Sequence, residues 1–264
     1  MKDLSLITTI DSNGVAKLTM SRPDVRNAFD ETMIHRICDE IARLSSDDGV
    51  RILILTGAGS VFSAGADLNM MKRAAGYSAS ENKDDARRLA HMLSAIHGSN
   101  KPTIARVNGP AMGGGVGLVA ACDIAITVDS SFFALSEVRV GLIPAVISPF
   151  VLQAIGAREA RRYFLTGERF DAAKARHIGL VHDTVPDGDL DNAVDKICDA
   201  LLAGGPEAIT AAKHLIYAVQ GQPIDNKVID ETAKRIASTR ASAEGREGIT
   251  SFLEKRRPSW TMED

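Results

Sequence analysis

The residues best suited to chemistry in this sequence are three consecutive glycines, 113–115, which open a run of small and apolar residues. Because glycine has no Cβ, the backbone there can approach a ligand closely. A helix start also leaves amide N–H groups unpaired and carries partial positive charge. The pattern is typical of a site for an anion, or for an oxygen that becomes negative during a reaction. A tight turn packed against a neighbouring helix would use the same glycines, and the run alone does not decide between the two.

The motifs of several other chemistries are missing from the sequence. The glycines of 113–117 do not have the GxGxxG spacing of a dinucleotide site, and no P-loop, HExxH or GxSxG motif occurs. The six histidines have no recognised metal spacing, and the three cysteines form no CxxC pair. We therefore expect no metal site, and reduced buried thiols rather than disulfides.

Composition and charge exclude several classes of protein. The chain has 264 residues, of which 45% are hydrophobic, and its formal net charge is −3 at pH 7. No basic stripe indicates nucleic acid or an anionic membrane as a partner. The N-terminal residues resemble neither a secretory signal nor a transit peptide, and no apolar run is long enough to cross a bilayer. These features predict a cytoplasmic protein with a sizeable core.

The apolar pattern of the first 60 residues predicts a hairpin, a helix and a buried strand. Residues 4–10 and 15–20 read as a β-hairpin around a glycine turn. Asn27 is a candidate cap for a helix whose apolar residues recur at helical spacing over 33–44. The nearly all-apolar run 50–56 is typical of a strand buried on both faces.

Strand, turn and helix patterns then recur in an α/β arrangement. The polar segment 72–88 indicates a mobile lid or frayed helix, with an ordinary surface loop as the alternative. A helix over 89–97 precedes a strand at 101–107, and short strands follow at 124–128 and 132–135. Each unit places a loop at the carboxyl end of a strand, where ligands usually bind in such folds.

The second half of the sequence is predominantly helical. Strand patterns fade after about residue 157, and the division predicted is an α/β core over 1–195 followed by a helical region over 196–264. The predicted helices are 157–165, 172–177, 190–202, 206–219 and 224–255.

Two Gly/Ala-rich loops together identify a family more specifically than either does alone. Residues 62–68 (FSAGADL) and 108–115 (NGPAMGGG) each follow a predicted strand. The chain resembles the enoyl-CoA hydratase/isomerase (crotonase) superfamily over nearly its whole length. Further matching positions are Asn27-Ala28, 120–124 (AACDI), Glu137, 141–144 (GLIP), 165–167 (LTG) and 179–181 (GLV).

The resemblance implies the crotonase fold, with a C-terminal helical trimerisation region, and an active site for acyl-CoA thioesters. In the family, two backbone N–H groups form an oxyanion hole for the thioester carbonyl, and the matching positions are Ala66 and Gly114, so we expect Gly114 to tolerate no side chain. Glu137 matches a catalytic glutamate. The resemblance implies CoA or substrate contacts at Arg26, Ala28, Ala64, Ala66, Asp67, Leu68, Asn69, Met112, Gly113, Gly114, Val140, Gly141, Phe252 and Lys255.

One departure from the family pattern bears on the mechanism. Many family hydratases carry two glutamates at the substrate double bond, and the second would fall at position 117, where this chain has Gly117. A single carboxyl at Glu137 can still deliver or remove a proton if an apolar pocket raises its pKa. We therefore expect a hydratase with one acid/base group. An isomerase that shifts the double bond is the alternative within the family, and a non-catalytic acyl-CoA-binding or RNA-binding homologue is the alternative outside catalysis.

The stretch 136–149 (SEVRVGLIPAVISP) is similar to one branch of the family. That branch contains methylglutaconyl-CoA and carboxygeranoyl-CoA (isohexenylglutaconyl-CoA) hydratases of leucine and terpene breakdown, whose acyl groups are branched and carry a carboxylate. A cation near the acyl group would suit such substrates, and Arg139, Lys72 and Arg73 are candidates, although Arg139 could equally be structural. The resemblance further implies a homotrimer or dimer of trimers, with no cofactor beyond the CoA thioester substrate.

Overall fold

The computed structural model describes residues 4–261, and its strands form a large sheet and a small one. The strands are β1 (Leu6–Ile10), β2 (Val15–Met20), β3 (Ile52–Gly57), β4 (Thr103–Val107), β5 (Ala111–Met112), β6 (Ile124–Val128), β7 (Phe132–Ala134), β8 (Arg169–Asp171) and β9 (Asp183–Val185). The large sheet has the order β1-β2-β3-β4-β6-β9, and the small sheet the order β5-β7-β8. In the large sheet β1 and β2 are antiparallel, and the remaining neighbours are parallel.

Helices pack on both faces of the large sheet, and three short 3₁₀ helices lie between other elements. The α-helices are α1 (Glu31–Ser45), α2 (Leu68–Ala74), α3 (Ala79–His97), α4 (Gly114–Ala121), α5 (Ser148–Thr166), α6 (Ala172–His177), α7 (Leu190–Ala203), α8 (Pro206–Val219), α9 (Asn226–Ala241) and α10 (Ala243–Leu253). The 3₁₀ helices are Pro23–Val25, Glu137–Val140 and Asp187–Asp189.

The strand β3 shows how the sequence assigns each side chain to one of two cores. Leu53 and Leu55 belong to a cluster with residues of α1, α3 and α4, whereas Ile52 and Ile54 belong to a second cluster with residues of α7. Successive side chains of a strand point to opposite faces, so a strand covered on both sides must be apolar throughout. The expectation of a doubly buried strand here is confirmed, as is the α/β arrangement.

Two local predictions, on Asn27 and on 224–255, are wrong, each for a physical reason. Asn27 does not cap α1, because its backbone is left-handed at φ 54° and Asp30 accepts the capping hydrogen bond from Met33 N–H. The segment 72–88 is helical with one break, because Ser78 and Glu81 form a capping box that starts α3, whereas its expected mobility stays a prediction. The range 224–255 is two helices, because Ser242 is extended and caps α10.

The sequence also missed several short elements. The strands β5, β8 and β9 have two or three residues each, too few for an apolar period to show. The first half of α5, before Gly156 at φ 69°, was not predicted, because Pro149 reads as a helix breaker although proline is tolerated in a first turn. No helix within residues 4–261 is long and apolar enough to cross a membrane.

The C-terminal helices are joined to the sheet by a half-buried ion pair. Lys213 of α8 is only 7% exposed, and its Nζ donates to Asp123 Oδ2 at 2.7 Å. The same oxygen accepts from the Thr103 amide at 2.7 Å, and Tyr217 Oη donates to Asp123 Oδ1 at 3.4 Å. Residue 195, the predicted end of the core, lies inside α7, and the division of the chain into two regions stays a prediction.

Removal of the Lys213 charge should destabilise the whole chain. In Lys213→Met the Asp123 carboxylate keeps its Thr103 partner but loses its counter-charge, and we expect the free energy of unfolding to fall by about 2–3 kcal/mol. Urea unfolding followed by circular dichroism measures this. Lys196→Met, at an exposed position of α7, is the matched control and should unfold like the wild type. Equal stability of the two variants would show that the ion pair does not hold α8.

Candidate active site

The first of the two glycine-rich loops is held against the chain before α1 by a short parallel bridge. The Phe29 amide donates to the Gly65 carbonyl at 2.8 Å, and the Asp67 amide donates to the Phe29 carbonyl at 3.0 Å. The bridge uses the Gly65 carbonyl and the Asp67 amide, and it leaves the Ala66 amide out. Within residues 4–261 that amide has no backbone acceptor, so it is available to a ligand.

The second loop lies directly against the first. The Met112 amide donates to the Ser63 carbonyl at 3.0 Å, and the Gly113 amide donates to the Ala134 carbonyl at 2.8 Å. A Cβ added to Gly65, which has φ 84°, would lie 2.7 Å from the Met112 carbonyl oxygen and 3.0 Å from the Gly114 nitrogen. Only glycine allows this approach. The loops that carry Ala66 and Gly114 are therefore brought together.

The Gly114 amide stands at the first turn of α4. Gly113 is the N-cap at φ 51°, and its carbonyl accepts from the Val116 amide at 3.0 Å. The Gly114 amide has no backbone acceptor in the described chain. A helix of this length adds its partial positive charge there. A Cβ at Gly114 would collide with the ring of buried Phe29, which supports the expectation that this position accepts no side chain.

The Glu137 carboxyl faces the same helix start. Glu137 begins the 3₁₀ helix Glu137–Val140, and its Oε1 would lie 3.3 Å from a Cβ on Gly113. Its Oε2 is buried and has no hydrogen-bond partner among residues 4–261. Burial raises the pKa of this carboxyl, and only its own backbone N–H opposes the rise. The result is a carboxyl set up to hold or exchange a proton beside two amides that lack acceptors.

A cavity of about 540 Å³ opens on the outer side of the first loop. It brings together half of the residues expected to contact CoA, and it adds Asp24, Val25 and Lys72, which were not expected there. The expected residues that line it are Arg26, Ala28, Ala64, Ala66, Asp67, Leu68 and Asn69.

The Asp67 side chain has a structural role in the lining of this cavity. It is 4% exposed, caps α2 by accepting from the Asn69 amide at 2.8 Å, and accepts from Arg22 Nη2 at 2.9 Å. Arg22 also donates to the Ala28 carbonyl at 2.6 Å and pairs with Asp30 at 3.1 Å. Sequence reasoning missed Arg22, because its partners are up to 45 residues away in the chain.

The Asn27 side chain holds the first glycine-rich loop by hydrogen bonds to its backbone, a role that the sequence did not indicate. The buried side chain donates from Nδ2 to the carbonyls of Ala58 and Val61, at 2.8 and 2.7 Å, and accepts from the Arg22 amide at 3.0 Å. Ser63 Oγ donates to the Asn27 carbonyl at 2.9 Å. These bonds fix the loop that ends at Ala66.

The remaining expected residues lie outside this cavity. Val140 and Gly141 are exposed at the end of the Glu137 helix, while Phe252 and Lys255 are exposed at the end of α10. Lys255 is left-handed at φ 56°. Their roles, like those assigned to Ala66, Gly114 and Glu137, stay predictions.

Comparison with known proteins supplies the family. A family model described as Enoyl-CoA hydratase/isomerase matches residues 11–263. The chain belongs to the enoyl-CoA hydratase/isomerase family. A solved enoyl-CoA hydratase from Shewanella pealeana is 44% identical over 97% of this chain and 96% of that one, with a TM-score of 0.94. The fold is thus the crotonase fold, with its C-terminal helices.

Curated relatives show the range of chemistry within this hydratase/isomerase family. The 2,3-dehydroadipyl-CoA hydratase of Escherichia coli is 30% identical over 93% of this chain and 94% of its own length. The hydroxycinnamoyl-CoA hydratase-lyase of Pseudomonas fluorescens is 34% identical over 76% of this chain and 74% of its own length. Family membership therefore establishes an acyl-CoA enzyme of this type and leaves the acyl group open.

The titration of Glu137 gives this family member a pH dependence of stability. Because burial raises the pKa of Glu137 above its ordinary value of 4.5, the folded chain keeps a proton that the unfolded chain has already lost. This contribution to stability is complete below about pH 4.5 and is lost as the pH rises through the folded pKa, at about 1.4 kcal/mol for each pH unit between the two values.

Glu137→Gln should remove this fall in stability with rising pH. We expect the variant to melt at a higher temperature than the wild type at about pH 8 and at the same temperature at about pH 4. Thermal melts over a pH series measure the difference. Glu207→Gln, an exposed glutamate at the start of α8, is the control and should follow the wild type at every pH. A parallel pH dependence in wild type and Glu137→Gln would contradict a raised pKa at this carboxyl.

Proposed function

We propose that this protein is an enoyl-CoA hydratase that adds water across an α,β-unsaturated acyl-CoA with Glu137 as its single acid/base group. The observation that carries the proposal is the unpartnered Glu137 Oε2 beside the start of α4. Burial raises the pKa of this carboxyl above its ordinary value, which suits a group that must both take and give a proton.

The proposed reaction places the thioester carbonyl oxygen between the amides of Ala66 and Gly114. Addition of water to the β-carbon moves negative charge onto that oxygen, and each preorganised donor is worth on the order of 3 kcal/mol in such a transition state. Glu137 takes one proton from the attacking water and returns it to the α-carbon, so that the substrate gains one water in total. Hydration brings no net change of oxidation state and the two amides stabilise the developing charge, so the proposed step uses no metal or redox group.

The cavity beside Ala66 is the proposed place for the CoA part of the substrate. Backbone groups of the first loop line it, and the exposed cations Arg26 and Lys72 stand at its edge, where phosphates would meet them. Lys255 would reach this ligand from a neighbouring subunit of a trimer or a dimer of trimers. Support for assembly comes from apolar side chains exposed on the C-terminal helices and their connections, namely Ile216, Ile224, Ile229, Ile236, Ile249, Phe252 and Leu253.

We further propose a branched acyl group that carries a carboxylate, of the methylglutaconyl-CoA or carboxygeranoyl-CoA type, in a cytoplasmic pathway. The similarity of residues 136–149 to that branch supports this substrate. Arg139 is not a suitable clamp, because its Nε packs against Gly167, at 3.2 Å from where a Cβ would be, and Arg73 is paired with Glu31. Lys72 lines the cavity proposed for the CoA part of the substrate, so it is not assigned to the acyl carboxylate.

Products formed in H₂¹⁸O test the reaction. The substrates are crotonyl-CoA, 3-methylcrotonyl-CoA and methylglutaconyl-CoA, and mass spectrometry follows the products of wild type, Glu137→Gln and the control Glu207→Gln. We expect the wild type and the control to incorporate one ¹⁸O, and Glu137→Gln to lose turnover by about 10³–10⁴-fold while binding CoA esters within a few fold of the wild type.

Two outcomes would contradict the proposal. Incorporation that survives in Glu137→Gln would exclude the single-glutamate mechanism. Migration of the double bond without incorporation in the wild type would identify an isomerase, a reaction that the single carboxyl and the glycine at position 117 also allow.

Lys255→Ala tests the tail as a CoA contact. A phosphate contact binds ground state and transition state alike, so KM for CoA esters should rise by about 3–10-fold with little change in kcat. Pantetheine thioesters, which lack the nucleotide, should be hydrated as by the wild type, and Lys196→Ala should change neither. Equal effects on both kinds of thioester would make the tail structural.

A further inference from the structure

The Glu137 carboxyl and the buried side chain of Ile147 both lie against the first turns of α4. The Gly117 amide donates to the Gly113 carbonyl at 3.3 Å, so the two glycines lie one turn apart. Glu137 Oε1 faces Gly113. At Gly117 an added Cβ would collide with Ile147 Cγ2 and would lie 2.9 Å from Ile147 Cβ. Positions four apart on a helix are about 5–6 Å from each other, so Ile147 packs against α4 one turn after the position that Glu137 faces.

The surroundings of Ile147 are buried and apolar. Ile147 is 2% exposed, and the buried Leu93 of α3 closes the same spot, 3.6 Å from a Cβ at 117. Neither α4 nor the segment 142–149 contains a titratable side chain. The charged residue on the 3₁₀ helix of Glu137 is Arg139, which packs against Gly167 at the end of α5.

We propose that Ile147 is a positioning residue that keeps water away from the Glu137 carboxyl, and that Gly117 and Ile147 are a matched pair in which the missing Cβ makes room for the isoleucine. The catalytic consequence rests on the proposed hydratase function, whereas the effect on the carboxyl itself does not. Ile147 contacts α4 at the place where another side chain would stand, so its shape decides how dry that side of the carboxyl is. Burial is the cause of the raised pKa of Glu137, and the proposal assigns part of that burial to Ile147.

Direct titration of Glu137 tests the positioning role without turnover. The carboxyl is followed by infrared spectroscopy and assigned as the band that Glu137→Gln removes. In Ile147→Ala water can reach the carboxyl, the charged form is stabilised, and its pKa should fall by about one unit or more. Val151→Ala is the matched control. Val151 is equally buried, and its amide donates to the Ile147 carbonyl at 3.1 Å, so it lies one turn further along α5. Its removal should leave the titration unchanged.

A second pair of variants keeps the test valid if Ile147→Ala does not fold. Valine and threonine have nearly the same shape, but only threonine brings a hydroxyl to the carboxyl. Ile147→Thr should therefore give a lower Glu137 pKa than Ile147→Val, and the acid limb of kcat/KM for crotonyl-CoA should move to lower pH in the same order. Equal titrations of the two variants, or an equal fall in Val151→Ala, would overturn the role of Ile147. A wild type that hydrates no enoyl-CoA would remove the kinetic arm and leave the infrared result standing.

The matched pair is tested by melting temperature. Gly117→Ala alone should melt well below the wild type, because its methyl collides with Ile147. The double variant Gly117→Ala/Ile147→Gly should melt above Gly117→Ala, because the collision is gone and glycine is acceptable at the N-cap of α5, which Ile147 occupies. A double variant that melts no higher than Gly117→Ala would show that the two positions are not matched.

Discussion

The close contact between two backbone loops is the constraint on which the rest of this structure depends. The loop that ends at Ala66 and the loop that begins α4 meet main chain to main chain, and a Cβ on Gly109 or Gly115 would collide with the carbonyl of Ser60 or Ser63. Glycine loses more conformational freedom on folding than other residues, so a contact between two glycine-rich loops is costly to order. The hydrogen bonds that Asn27 makes to the first loop offset part of this cost. This contact between the loops brings the Ala66 and Gly114 amides, which have no backbone acceptor within residues 4–261, close together.

How far the sequence predicts this arrangement depends on how local each cause is. The glycine loops, the doubly buried β3 and the start of α4 could be predicted, because a missing Cβ or an apolar run acts within a few residues. Asn27 could not, because its side chain binds carbonyls more than 30 residues away and looks from the sequence like a helix cap. Arg22 was missed for the same reason.

Two further cases show what pattern alone leaves open. The polar segment 72–88 allowed a frayed helix or a surface loop, and a capping box at Ser78 decides for helix. Arg139, two residues from Glu137, could have been a substrate clamp or a structural residue, and in the short helix Glu137–Val140 its side chain lies against Gly167. Proximity in sequence does not fix the direction of a side chain when the backbone between is a tight turn.

The unpartnered Glu137 carboxyl and the two free amides depend on each other. A buried acid without a partner costs stability, and a structure under selection for stability alone would pair it or expose it. The low dielectric that raises its pKa also strengthens the attraction between the amides and a developing negative charge. An apolar neighbour such as Ile147 therefore serves both groups, whereas a second charged group on this face would change the titration of the first. The apolar wall and the lone acid are best understood as a single arrangement, in which the absence of a side chain at Gly117 is as much a part of the site as the carboxyl at Glu137.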